Sequence, residues 1–520
     1  MRQAGVLIPL FSIRTHSGWG VGEIPDLAPF ARWAASSGFQ VIQVLPVMEV
    51  SRGQQSPYAA LTAFALDPVY LALDAVEDFQ AAGGREALGA DDQRELEAVS
   101  GAPAVRWNRV RELKRRALEL AFAHFREHEW KHQTERAREL TRYAAEHASW
   151  LADYALFVTL HDERFGGRSW TEWDDAPLRS HEPRALEAAR AAHADRVLYH
   201  EYVQWQLDRQ WHAARAEANA AGVELMGDLP FMVAGDSADV WSRPFDFRID
   251  ARVGVPPDMF SATGQDWGLP VFRWDVMEQN GFAWFTERAR RNADLYGLSR
   301  VDHVVGLYRT YYRTGDPASE GAFTPPDEPA QIKNGERVIG IFSQGARVIA
   351  EDLGTVPDFV RESLTRCGVP GYRVLRWERE WKEPGQPFRD PVRWPALSIA
   401  TSGTHDTDSL ADWWESLDRV EREAVLQIPG LAALRARAPE RWDDSVRDAT
   451  LEILYGSGSA LVLMPLQDVL GLRERVNVPG TVDDENWTFR MPMDLRALAA
   501  DLRTSERLMG LARRSRRLDI

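Results

Sequence analysis

Three stretches of this 520-residue chain end in side chains fit for bond-breaking chemistry: Leu298-Ser-Arg-Val-Asp-His303, Arg347-Val-Ile-Ala-Glu-Asp352 and Ser398-Ile-Ala-Thr-Ser-Gly-Thr-His-Asp406. In each, a short apolar run of the kind that forms a buried strand stops at carboxylates. Strand alternation puts Leu298, Arg300 and Asp302 on one face, with Arg300 one step beneath the carboxylate. A guanidinium there favours the ionised carboxyl that a nucleophile requires; the bland alternative is an Arg–Asp pair that only holds a strand end. Gathered at one mouth, Asp302, Glu351 and Asp406 would suit retaining glycoside chemistry. One attacks the anomeric carbon, one protonates the leaving oxygen and later takes a proton from the incoming hydroxyl, and the third favours an oxocarbenium-like transition state. The same strand ends offer Asp302, Glu351, Asp352 and His405 to a divalent metal, and a barrel without catalysis is a third reading. Residue types and spacing leave all three open.

The elements that must position these groups follow from the hydrophobic pattern. Val6–Leu10 and Val41–Val47 read as the first two strands, flanking a helical stretch from about Asp26 to Ser36. Such a β-α-β start implies a parallel sheet. Val223–Phe231 reads as strand three, Leu298–Gly306 as four, Arg347–Gly354 as five, Gly371–Trp377 as six, Ser398–Asp406 as seven and Ala460–Asp468 as eight. From Phe231 to Leu295 the connection reads as turn-rich. The predicted fold is α/β, a (β/α)8 TIM barrel with a large helical insertion after strand two and a loop subdomain between strands three and four. Residues 1–70 form the first part of the catalytic barrel and 71–221 the helical insertion. Residues 222–520 complete the barrel, with 232–297 over the cleft.

Composition narrows the partners. Sixty-two basic against 78 acidic residues give a net charge of −16, which argues against nucleic acid or an anionic membrane and fits a neutral substrate. Cys367 is the single cysteine, so neither an intrachain disulfide nor a cysteine metal cluster is available. No signal peptide is visible and no apolar run reaches membrane-span length, making the cytoplasm the expected location. The 20 Trp, 21 Phe and 12 Tyr raise a carbohydrate ligand only slightly, since most such rings belong to the core.

Arg300-Val-Asp-His303, Ala350-Glu-Asp-Leu-Gly354 and Gly403-Thr-His-Asp-Thr-Asp408, in this order, resemble the amylomaltase (4-α-glucanotransferase) family of the α-amylase clan. The resemblance extends to Gly227-Asp-Leu-Pro230, the Val-Pro-Pro-Asp258 and Gly-Gln-Asp-Trp267 loop, and Arg475-Val-Asn-Val-Pro-Gly480 with Asn486-Trp487. It implies disproportionation of α-1,4-glucans by double displacement, with Asp302 as nucleophile, Glu351 as acid/base and Asp406 as transition-state stabiliser. It further implies Arg300 beside the nucleophile, His303 and His405 on sugar hydroxyls, and Tyr58 packed against the sugar. Asp258, Gln265 and Trp267 are expected on a loop over the cleft, and Asn477 at a binding position near the last strand. Partners would be an α-1,4-glucan donor and a glucose or maltodextrin acceptor, with no cofactor.

Other readings stand beside these. An α-1,4-glucan hydrolase with the same carboxylates, a metal-dependent enzyme and a non-catalytic glucan-binding barrel are the rivals. Tyr58 could be a corner residue of the Ser-Pro-Tyr turn, Trp267 a cap on the core, and Asp228 an acceptor of backbone N–H groups in its turn. Asp352 points away from Glu351 by alternation and is read as structural. The chain departs from the family pattern at Ala59, Asp67 and Phe489, which concern outer subsites and no catalytic group.

Overall fold

Residues 2–51, 53–256, 264–314, 321–481 and 483–518 are described by a computed structural model. Its twelve named strands are β1 (Gln3–Leu7), β2 (Val41–Gln43), β3 (Glu224–Leu229), β4 (Phe247–Val255), β5 (Gln265–Phe272), β6 (Leu298–Val301), β7 (Thr310–Thr314), β8 (Ala322–Thr324), β9 (Arg347–Ala350), β10 (Gly371–Val374), β11 (Ser398–Thr401) and β12 (Leu461–Pro465). Eight of them close into a parallel barrel in the order β1-β12-β11-β10-β9-β6-β3-β2. These strands are largely buried on both faces because side chains fill the barrel and helices cover it, which is why their sequences are rich in apolar residues. The filling includes Val41, Met226, Leu298, Ile349, Tyr372, Ile399 and Leu461. On the outside, the helix Leu27–Ser36 buries Phe30 and Trp33.

All eight expected barrel strands occur, but each stops short of its predicted C-terminal end. β6 ends at Val301 and β9 at Ala350, so Asp302 and Glu351 are the first residues beyond their strands, and Asp406 lies five residues past β11. The apolar run continues after the ladder ends because the mouth is itself packed.

Between β2 and β3 the chain is helical, dominated by Trp107–Phe125, Ala148–Thr159 and Ala194–Ala220. The last of these holds the segment after β2 from below: the Gln204 amide donates to the Leu66 carbonyl at 2.8 Å and accepts from its N–H at 2.9 Å.

The turn-rich reading of residues 231–295 needs correction. That stretch carries β4, β5 and the helices Ala238–Ser242, Trp274–Gln279 and Ala283–Leu295. β4 and β5 join β7 and β8, which follow β6, in an antiparallel sheet ordered β5-β4-β7-β8. Gly254, Gly268 and Pro270 resemble turn residues, yet they lie within these strands. At Gly254 the β4–β5 register shifts and the Gln265 carbonyl approaches to 2.0 Å of where a Cβ would sit. The glycine is there for close backbone approach, as at a bulge.

Candidate active site

β6 supplies the centre of the mouth. Asp228 on β3 stands in register with Arg300 on β6, and both point inward with Met226 and Leu298. Arg300 is buried, and its guanidinium forks: Nη1 donates to Asp228 Oδ1 at 2.6 Å, while Nη2 lies 2.8 Å from Asp302 Oδ1. Burial alone would lower the Arg300 pKa, but the charges of Asp228 and Asp302 outweigh it and raise it well above the ordinary value. The cation between these two carboxylates is therefore a fixed side chain. Burial is also the main cause that raises Asp228, against the pull of Arg300.

Glu351 stands on the next strand end over. Its Oε2 accepts the His303 backbone N–H at 2.8 Å and its Oε1 the Leu353 N–H at 2.9 Å. Burial pushes its pKa to about 7, with Arg300 opposing and the neighbouring Asp302 reinforcing the rise. His303 adopts a left-handed backbone with φ of 43°. Such a conformation in a non-glycine residue is strained and is sustained by its surroundings; here it accompanies the amide that binds Glu351. Burial also lowers the His303 imidazole to about 4, so it is neutral near pH 7 and able to donate one hydrogen bond and accept another.

Asp406 is held from two directions. Asn477 Nδ2 donates to its Oδ1 at 2.7 Å, and His405 Nε2 lies 3.4 Å from its Oδ2. Arg475 donates to its backbone carbonyl at 2.9 Å. Burial disfavours the charged carboxylate, yet His405 and the Asn477 donor more than compensate, holding Asp406 far below the usual carboxylate range. His405 moves oppositely: burial lowers it, and Asp406 raises it to a net increase.

Rings line the remaining walls. Tyr58 stacks on His405 with centroids 5.2 Å apart and planes at 22°, and Trp487 lies 5.8 Å from each. The Tyr58 hydroxyl donates to Asp228 Oδ2 at 2.8 Å. His303 is wedged edge-on between Phe231 and Trp267, at 5.4 and 4.7 Å. The Trp267 indole N–H donates to Gln265 Oε1 at 3.0 Å, so both residues reach the mouth along β5.

Sequence reasoning thus names ten residues that meet here: Asp302, Glu351, Asp406, Arg300, His303, His405, Tyr58, Asn477, Trp267 and, through Trp267, Gln265. Asp258 lies outside the described residues. Asp228, read as a turn acceptor, is instead part of the charged centre. Its inward alternation with Met226 was the available signal, but only the β3–β6 register shows what it faces. Trp487, with φ of 63°, and Arg475 were assigned no role from sequence. Asp352 faces outward as expected, accepting the Tyr372 N–H at 2.7 Å. Asp67, one of the departures, caps the turn at Val69 and forms a two-pronged pair with Arg111 at 2.8 and 2.7 Å. Among the described residues, no group of three or more His, Cys, Asp or Glu is arranged to hold a metal ion.

Comparison with known proteins agrees in one direction. Residues 8–495 match a family model described as 4-alpha-glucanotransferase. A 4-alpha-glucanotransferase of Chlamydia trachomatis is 30% identical over 530 residues, covering 98% of this chain and 94% of that protein. One from Thermus thermophilus is 32% identical over 497 residues, 91% and 92% of the two chains. An amylomaltase from Streptococcus agalactiae, solved in complex with acarbose, superposes over 100% of both chains with a TM-score of 0.83 at 26% identity.

Proposed function

The chain belongs to the 4-α-glucanotransferase family, and on that premise we propose that Asp302, Glu351 and Asp406 carry its transferase reaction as nucleophile, acid/base and transition-state stabiliser. In the first step an Asp302 carboxylate oxygen bonds to the anomeric carbon as the glycosidic C–O bond breaks. The Glu351 proton passes to the departing 4-oxygen. In the second, Glu351 takes the proton from the 4-hydroxyl of an acceptor glucose or maltodextrin, whose oxygen bonds to the anomeric carbon and expels Asp302, with net retention. Arg300 orients the nucleophile, and Asp406 stabilises positive charge at the ring. His303 and His405 bind hydroxyls of the transferred sugar, Tyr58 packs on it, and Gln265, Trp267, Asn477 and Asp258 complete the glucan site. The scheme uses no metal or organic cofactor.

The observation that best supports this assignment is the contrast between neighbouring carboxyls. Glu351 is held near 7 by burial while Asp302 faces the Arg300 guanidinium at 2.8 Å. A buried carboxyl that keeps its proton up to near-neutral pH suits the acid, and a carboxylate oriented by a fixed guanidinium beside it suits the attacking group.

We place the reaction in the cytoplasm, on maltodextrins or glycogen; among the described residues no helix is long and apolar enough to cross a membrane. Incubation with maltotriose tests the reading, with and without EDTA. A ladder of longer maltodextrins and free glucose at constant total reducing ends is expected in both arms. Rising reducing ends without a ladder would favour hydrolysis, and loss with EDTA a metal enzyme. Folded Asp302→Asn, Glu351→Gln and Asp406→Asn should form no ladder, and retained turnover in any one removes that residue from its role.

A further inference from the structure

Of the 20 tryptophans, two are exposed: Trp377 at 43% and Trp381 at 58%. Both lie on one segment, residues 375–390, which leaves the C-terminal end of β10. That strand lies between β9, which leads to Glu351, and β11, which leads to Asp406. The segment therefore rises from the catalytic rim of the barrel.

It is braced along its length. At its base Arg376 donates to the Ser402 carbonyl at 3.2 Å and to the Asp408 carbonyl at 3.0 Å, two residues from Asp406. Further out it doubles back as a hairpin, with Arg379 bridged to Phe388 and the Glu380 N–H donating to the Pro387 carbonyl at 2.9 Å. The Arg379 guanidinium lies 3.9 Å over the Phe388 ring and pairs with Glu421, and it is 6.0 Å from the Trp381 ring. A braced hairpin that leaves the catalytic rim thus keeps an indole uncovered.

We propose that Trp381 is an outer platform for the glucan, its indole stacking on the C–H face of a glucose unit several residues from the scissile bond. The chemistry fits: a flat apolar face flanked by a guanidinium matches a pyranose with its rim of hydroxyls. Such a contact reaches only chains long enough to span from the carboxylates to the hairpin, so it makes affinity depend on chain length. The proposal rests on the transferase activity but on none of the roles given to the three carboxylates.

The test compares KM for maltotriose with KM for maltoheptaose in the wild type, Trp381→Ala and Trp381→Phe, scoring glucose release. In Trp381→Ala the preference for maltoheptaose should fall roughly fivefold, the size of a lost ring stack, and Trp381→Phe should restore most of it. An unchanged preference, or equal losses on both substrates, overturns the proposal, as does a change in oligomeric state that accounts for the effect. Failure of the transferase reading would appear separately, as a wild type that builds no ladder from maltotriose.

Discussion

The backbone N–H of His303 donates to Glu351 Oε2 across 2.8 Å, so the residue that follows the candidate nucleophile also orients the candidate acid. Two strand ends are thereby locked in phase: β6 leads into Asp302 and the amide, and β9 into the carboxyl that accepts it. The left-handed backbone of His303 is part of that arrangement.

A pH dependence follows from this. Glu351 must hold its proton for the first step, and burial places its pKa at about 7. Initial rates at low maltotriose should therefore decline as pH rises through about 7, with the free enzyme's acid governing kcat/KM. The measurement is kcat/KM against pH; a profile flat through that region would deny Glu351 the acid role.

Arg300 neutralises two carboxylates at once. Removing one partner of a buried charge pair costs about 3–5 kcal/mol because the other charge stays buried. Arg300→Ala should lower the unfolding free energy by that order and abolish turnover. Adding Asp228→Asn removes the charge left behind, so the double variant should recover part of the stability while remaining inactive. Chemical denaturation beside a glucose-release assay checks both.

Tyr58 joins the site twice, by its ring on His405 and by its hydroxyl on Asp228. Asp228 keeps Arg300 when the hydroxyl is lost, so Tyr58→Phe should cost only the net worth of one hydrogen bond, about 1 kcal/mol or roughly fivefold in kcat/KM. Tyr58→Ala removes the ring as well and should lose at least about tenfold more. Equal losses in the two variants would mean that the hydroxyl, not the ring, does the binding.

A second buried carboxyl bears on stability rather than turnover. Burial raises Glu49 from 4.5 to about 8, Asp67 adds to the rise, and Tyr154 opposes it by donating its hydroxyl. The folded chain thus keeps a proton that the unfolded chain releases, so this contribution to stability is present at low pH and is lost as pH rises from the unfolded value through about 8. The Tm should fall between about pH 5 and about pH 8 and level off above, and Glu49→Gln should flatten that decline.

The barrel and most of the residues gathered at its mouth are legible in the sequence. Eight apolar runs separated by helical stretches permit few other architectures, and alternation is a local rule, so Arg300 beneath Asp302 could be read without coordinates. Tertiary structure alone decided what crosses between distant segments. The β3–β6 register turned Asp228 from a turn acceptor into the second anion on Arg300. The pairing of β4 and β5 with β7 and β8 built a sheet from two separate connections, where the sequence of residues 231–295 reads as turn-rich. Burial set Glu351 near 7, and the path of the chain after β10 left Trp377 and Trp381 exposed while other indoles were covered. Register, desolvation and exposure depend on neighbours far away along the chain, and no local pattern of residues encodes them.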